Sequence, residues 1–187
     1  MINVGLDMSF TGTGFCLFKD NQYELKTIKT KPKDFPNFLE RLQFITDTCL
    51  TGIPKEVDLI AIEDYYTPHQ KAQMGSALNL VALGTLMRIK LYESGLPFVI
   101  INNKQLKKWI TGKGNSQKSM IIKEVYKRLD VDAKDDNQAD ACVLADLAKA
   151  LFEIKNNQKD IKSFSKYQID VLDKIYQTKQ NHYNWSL

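Results

Sequence analysis

Four acidic side chains stand at positions where their neighbours leave them little ordinary use. Asp7 lies between Leu6 and Met8 at the end of an apolar run that starts at Ile2, and Glu63 closes the run Leu59-Ile60-Ala61-Ile62. An ionised carboxylate at the end of a buried strand needs a partner, a cation or water. In Asp136-Asn137-Gln138-Ala139-Asp140 the two aspartates are four residues apart. On a helix that spacing puts them on one face, where they repel unless something positive lies between them. Singly, each acid could be a cap or a solvated surface group. Brought together, they form an oxygen-only set of the kind that holds Mg²⁺.

The elements that must position these acids are legible in outline. Ile2–Met8, Gly14–Phe18 and Tyr23–Lys29 are short runs broken at Gly12-Thr13-Gly14 and Lys19-Asp20-Asn21-Gln22, the spacing of an antiparallel three-strand meander. Residues 35–50 follow the helical period and lead into Leu59–Ile62, whose continuous apolar run predicts a buried parallel strand reached by a crossover. Gly75–Ser94 is apolar almost all round and predicts a buried helix, followed after Gly95 by a fifth strand over Leu96–Ile101. Helices are expected at 103–111, 116–129 and 136–152. The expected fold is therefore α/β, with a five-stranded mixed sheet over residues 1–152 that suffices for a core. Residues 153–187 read as a polar linker, an amphipathic helix with the stripe Phe164, Tyr167, Gln168, Val171, Leu172, Ile175 and Tyr176, and a tail.

Charge is distributed unevenly. The 187 residues carry a net charge of +4, but residues 102–128 hold Lys104, Lys107, Lys108, Lys113, Lys118, Lys123, Lys127 and Arg128 against Glu124 alone. Residues 130–146 then hold six aspartates against Lys134. A polyanion contact beside a cation-binding carboxylate cluster has this pattern, as do two solvated helix faces of opposite sign. With 43% hydrophobic and 26% charged residues the chain is globular rather than disordered. Its opening residues show no cationic leader and no membrane-length apolar run, so a cytoplasmic protein without a membrane partner is expected. Cys16, Cys49 and Cys142 have no metal spacing, His69 and His182 no triad spacing, and Gly112-Lys113-Gly114 lacks the spacing of a phosphate loop.

Five short segments, in order, carry a family resemblance. They are Gly5-Leu6-Asp7-Met8-Ser9 with Thr13-Gly14, then Ile60-Ala61-Ile62-Glu63, Gly75-Ser76-Ala77-Leu78, Leu106-Lys107-Lys108 through Gly112-Lys113-Gly114 to Lys118, and Ala139-Asp140-Ala141. Together they resemble the RuvC-type Holliday junction resolvases of the RNase H-like nuclease superfamily. The small size and the divergent tail suggest a phage or viral branch. The resemblance implies an RNase H-like domain in which Asp7, Glu63, Asp140 and Asp136 hold two Mg²⁺, with Mn²⁺ able to substitute. It implies a homodimer that cuts four-way junctions and other branched DNA by paired nicks, leaving 5′-phosphate and 3′-hydroxyl ends. No small-molecule cofactor is implied. Lys118 matches a basic residue near the scissile phosphate, Lys107, Lys108 and Lys113 match backbone contacts, and Tyr66 matches an aromatic that stacks near the crossover, with Tyr65 as competitor. One departure stands out: Asn137 occupies the position where the family has Asp or His. Either Asp136, one residue earlier, or a water-holding Asn137 amide must complete the site.

Overall fold

The computed structural model describes residues 1–65, 74–178 and 182–185. Strands β1 (Ile2–Asp7), β2 (Gly12–Lys19) and β3 (Gln22–Lys29) form the antiparallel meander. Helix α1 (Phe38–Gly52) crosses over to β4 (Leu59–Glu63), which pairs parallel with β1, and α2 (Met74–Glu93) crosses over to β5 (Phe98–Ile101), parallel with β4. Helices α3 (Asn103–Thr111), α4 (Lys118–Leu129), α5 (Asp136–Lys155) and α6 (Lys166–Gln177) follow. The sheet has six strands, not five. The sixth, β6 (His182–Tyr183), comes from the tail and pairs antiparallel with β5, giving the order β3-β2-β1-β4-β5-β6. Two residues are too few for an alternating pattern to announce them; β6 forms because the outer edge of β5 would otherwise leave its backbone groups unpaired.

The sheet separates two cores, and strand parity decides which side chain joins which. Val4, Leu6, Ile60, Ile62, Phe98 and Ile100 pack with Cys49 of α1, Ile53 just after it, and Met87 and Leu91 of α2. Leu59, Ala61, Val99 and Ile101 pack on the opposite face with α3, α4 and α5. Both faces are covered, which is why β4 reads as an unbroken apolar run. Helix α5 lies across β1, β2 and β4, and it lies very close. A Cβ at Gly5 would come 2.0 Å from the Ala141 carbonyl oxygen, and one at Gly14 would come 2.0 Å from that of Asn137. These two glycines are what lets the helix backbone rest on β1 and β2.

The core around α5 also takes in Val171, Leu172 and Ile175 of α6, together with Trp185. The core thus extends past residue 152, with α6 packed on α3. Among the described residues, no helix is long and apolar enough to cross a membrane.

Candidate active site

Three of the acids converge because of the same parity. Gly5 faces α5, so Asp7, two residues on, faces α5 as well; Leu59 and Ala61 face α5, and so does Glu63. The register Leu6↔Ile62 places the next residues, Asp7 and Glu63, side by side at the carboxyl ends of adjacent parallel strands. Clefts of open α/β sheets form at such strand ends. Above them, α5 supplies Asp140. Met8, Ser9, Asp64, Tyr65, Leu80 and Gly84 complete a cleft of about 200 Å³ around Asp7 and Glu63.

The electrostatics are those of negative charge crowded into a dry place. Burial pushes the Asp7 carboxyl well above its ordinary range, reinforced by the charge of Glu63 and a hydrogen bond to it, then by Asp140 and Asp136. Asp140 is pushed up to about 7, first by burial and then by Glu63 and Asp136, with Lys107 and Lys118 opposing. Its Oδ1 is buried with no hydrogen-bond partner. Asp136, the first residue of α5, is ion-paired with Lys118, the first residue of α4. That hydrogen bond lowers the Asp136 carboxyl and raises the Lys118 ammonium. A lysine at a helix start opposes the helix dipole, so Asp136 offsets a locally unfavourable placement.

The family model for crossover junction endodeoxyribonuclease RuvC matches residues 3–148 of the chain. The chain belongs to the RuvC family. Its activity class is thus that of a crossover junction endodeoxyribonuclease, and the four acids and Lys118 all lie within the matched span. The fold is similar to Thermus thermophilus RuvC in complex with Holliday junction substrate, at a TM-score of 0.65 and 17% identity, covering 83% of this chain and 96% of that one. A second Thermus thermophilus RuvC structure gives 0.62 and 18%, covering 84% and 97%. No curated protein matches the chain. Helix α6 and strand β6 lie beyond the residues that the family model matches.

The basic residues fall into two groups around this acidic cluster. Lys107 acts electrostatically on Asp140, and Lys113 is exposed in the α3–α4 connection, which Thr111 and Ser116 knit together through hydrogen bonds to its carbonyl. Lys108 instead forms an ion pair with Asp170 of α6. Tyr66 lies outside the described residues. Tyr65 lies under the Arg88 guanidinium, 4.3 Å from ring centroid to charge centre. Asn137 turns its side chain toward Gly12, where an added Cβ would come 3.1 Å from Nδ2, so that the amide packs against β2.

Two polar residues around Glu63 were not singled out from the sequence. Arg88 of α2 donates to the Glu63 carbonyl at 3.3 Å and to Asp64 at 3.0 Å, fixing the strand end. Asn103, the first residue of α3, donates from Nδ2 to Glu63 Oε1. A signal for Asn103 did exist: Asn102 and Gln105 form the capping box that starts α3, which leaves the second asparagine without a capping task.

Proposed function

We propose that this protein is a divalent-cation-dependent, structure-selective DNA endonuclease that resolves four-way junctions as a homodimer. The observation that carries the reading is the convergence of Asp7, Glu63 and Asp140 from β1, β4 and α5, with the Asp136–Lys118 pair near enough to act on them electrostatically. Among the described residues, no group of three or more His, Cys, Asp or Glu side chains is arranged, as it stands, to hold a metal ion. The donor set nevertheless fits a hard cation. It is all oxygen, it crowds charge that together with burial raises the Asp7 and Asp140 carboxyls, and it keeps the buried Asp140 Oδ1 unpartnered.

Asp7, Glu63 and Asp140 would hold Mg²⁺, with Asp136 completing the set in preference to Asn137, whose amide faces β2. Bound there, Mg²⁺ would supply Lewis-acid stabilisation and an activated water for in-line displacement at phosphorus, leaving 5′-phosphate and 3′-hydroxyl ends. Lys118 is 72% exposed, so its ammonium is free to swing from Asp136 to a phosphate oxygen once DNA is seated. Lys107 and Lys113 face the backbone and give salt-sensitive affinity, while Lys108 stays with Asp170. On α2 the apolar side chains of Leu78, Ile89 and Tyr92, exposed by 62%, 46% and 59%, form the stripe through which a second copy docks. Two such sites about a two-fold axis match the symmetry of a four-way junction.

The test is cleavage of synthetic four-way, three-way and linear duplex DNA with Mg²⁺ and with EDTA. Paired symmetric nicks in the four-way substrate, lost in EDTA, are expected. Tight junction binding without nicks under either condition would leave a binding protein instead.

A further inference from the structure

The end of β4 is held at two levels. Its main chain is fixed by the Glu63–Ile101 register, by the Asp64 amide donating to the Ile101 carbonyl at 2.8 Å, and by Arg88 on the Glu63 carbonyl. None of these main-chain contacts restrains the Glu63 side chain, which has three rotatable bonds and whose carboxyl neighbour, Asp7, both crowds it with charge and hydrogen-bonds to it. The same register explains what does. Helix α3 starts two residues after Ile101, so its first side chain arrives beside Glu63, and Asn103 Nδ2 hydrogen-bonds Oε1. Only the amide NH₂ of an asparagine can face a carboxylate oxygen, so the donor is unambiguous.

We propose that Asn103 is a positioning residue that fixes the Glu63 carboxylate by its Oε1 and so leaves Oε2 directed at a divalent cation shared with Asp7. The inference rests on the metal reading above. An amide suits this task because it is neutral: it satisfies one oxygen without neutralising the charge that attracts the cation, as a lysine would. Carboxylate ligands of metals are commonly held by such outer partners, whose loss costs about 10- to 100-fold in metal affinity or activity. Asn103 itself is only half-buried at the start of a helix, a position where alanine is well tolerated.

The experiment compares wild-type protein with Asn103→Ala in three measurements. Titration calorimetry with Mn²⁺ in the absence of DNA is expected to show affinity about 10- to 100-fold weaker in the variant. The Mg²⁺ concentration for half-maximal junction cleavage is expected to rise by a similar factor, with much of the rate recovered at high Mg²⁺. Junction affinity in EDTA and the unfolding temperature are expected to stay unchanged, which a general structural defect would not allow. Equal Mn²⁺ isotherms and superimposable Mg²⁺ profiles for the two proteins would overturn the role of Asn103 while leaving the nuclease reading intact. A wild-type protein that binds no Mn²⁺ at all would instead overturn the metal reading, and this inference with it.

Discussion

Lys118 and Asp136, the first residues of two different helices, are ion-paired across eighteen positions of sequence at the rim of the carboxylate cleft. The pair is solvent-exposed on the lysine side, so its contribution to stability is small, at most about 1 kcal/mol. Lys118→Ala is therefore expected to unfold at nearly the wild-type temperature while its cleavage rate at saturating junction falls on the order of 10²-fold. Single-turnover kinetics beside a melting curve checks both halves. A variant that loses affinity and keeps its rate would make Lys118 one more backbone contact.

Asp7→Asn, Glu63→Gln and Asp140→Asn are each expected to reduce cutting to background while junction binding in EDTA survives. In the proposed reading the phosphate contacts come from α3 and the loop after it, which these substitutions do not touch. Asp136→Asn is expected to be more damaging than Asn137→Ala, because Asp136 faces Lys118 and the other acids whereas Asn137 faces Gly12. Nicking rates of the five variants on one labelled junction decide this. The reverse order for the last two would move the fourth position to Asn137.

Crowded acids also predict an unusual pH dependence for the metal-free protein. Asp140 titrates near 3.8 when unfolded and at about 7 when folded. Between those values the folded state binds the extra proton, so stability is full at low pH and is lost as pH rises toward 7. Asp7, raised in the same direction, adds to the trend. In EDTA the unfolding temperature is thus expected to be lower at pH 8 than at pH 5. Mg²⁺ should restore it at pH 8, and Asp140→Asn should flatten the slope. An unfolding temperature that rises from pH 5 to pH 8 in EDTA would contradict the burial of these charges.

What the sequence made legible, and what it hid, follows from the range of the interactions involved. Asp7 and Glu63 stood out because a carboxylate at the end of an apolar run is a local property, and Asp140 because a helical repeat is local too. The Lys118–Asp136 pair and the Asn103–Glu63 bond could not be read in the same way. Each joins the start of a helix to a residue distant in sequence, and the meeting depends on how closely α5 lies on Gly5 and Gly14 and on the β4/β5 register. The sixth strand was hidden for a different reason: an edge that needs covering is a property of the finished sheet.

The lysines of α3 and of the connection to α4 are not equivalent. Lys107→Gln and Lys113→Gln are each expected to lower junction affinity for all sequences alike and to reduce the slope of log K against log salt by about 0.9. Lys108→Gln is expected to change the slope much less, because Asp170 already neutralises that ammonium. Binding titrations at several salt concentrations separate the cases. A full unit lost with Lys108 would mean that its pair with Asp170 opens on DNA.

Helix α6 lies beyond the family match, yet it covers the flank of α3. Val171, Leu172 and Ile175 are buried in the core around α5, Tyr167 packs 3.7 Å from the site of a Cβ on Gly112, and Arg128 of α4 donates to the Tyr167 hydroxyl. The helix thus braces the connection that carries Lys113 and leads into Lys118. Truncation after Ile154 is expected to expose this core and leave a chain that melts without a cooperative transition. The point substitution Leu172→Ala is expected to cost about 2–5 kcal/mol while the chain still folds. Tyr167→Phe removes only the hydroxyl that receives the Arg128 hydrogen bond, and a small loss of stability is expected from it. Denaturant titration of the three proteins gives the ranking. A truncated chain that unfolds with wild-type cooperativity and midpoint would show that α3, α4 and α5 close their core without α6.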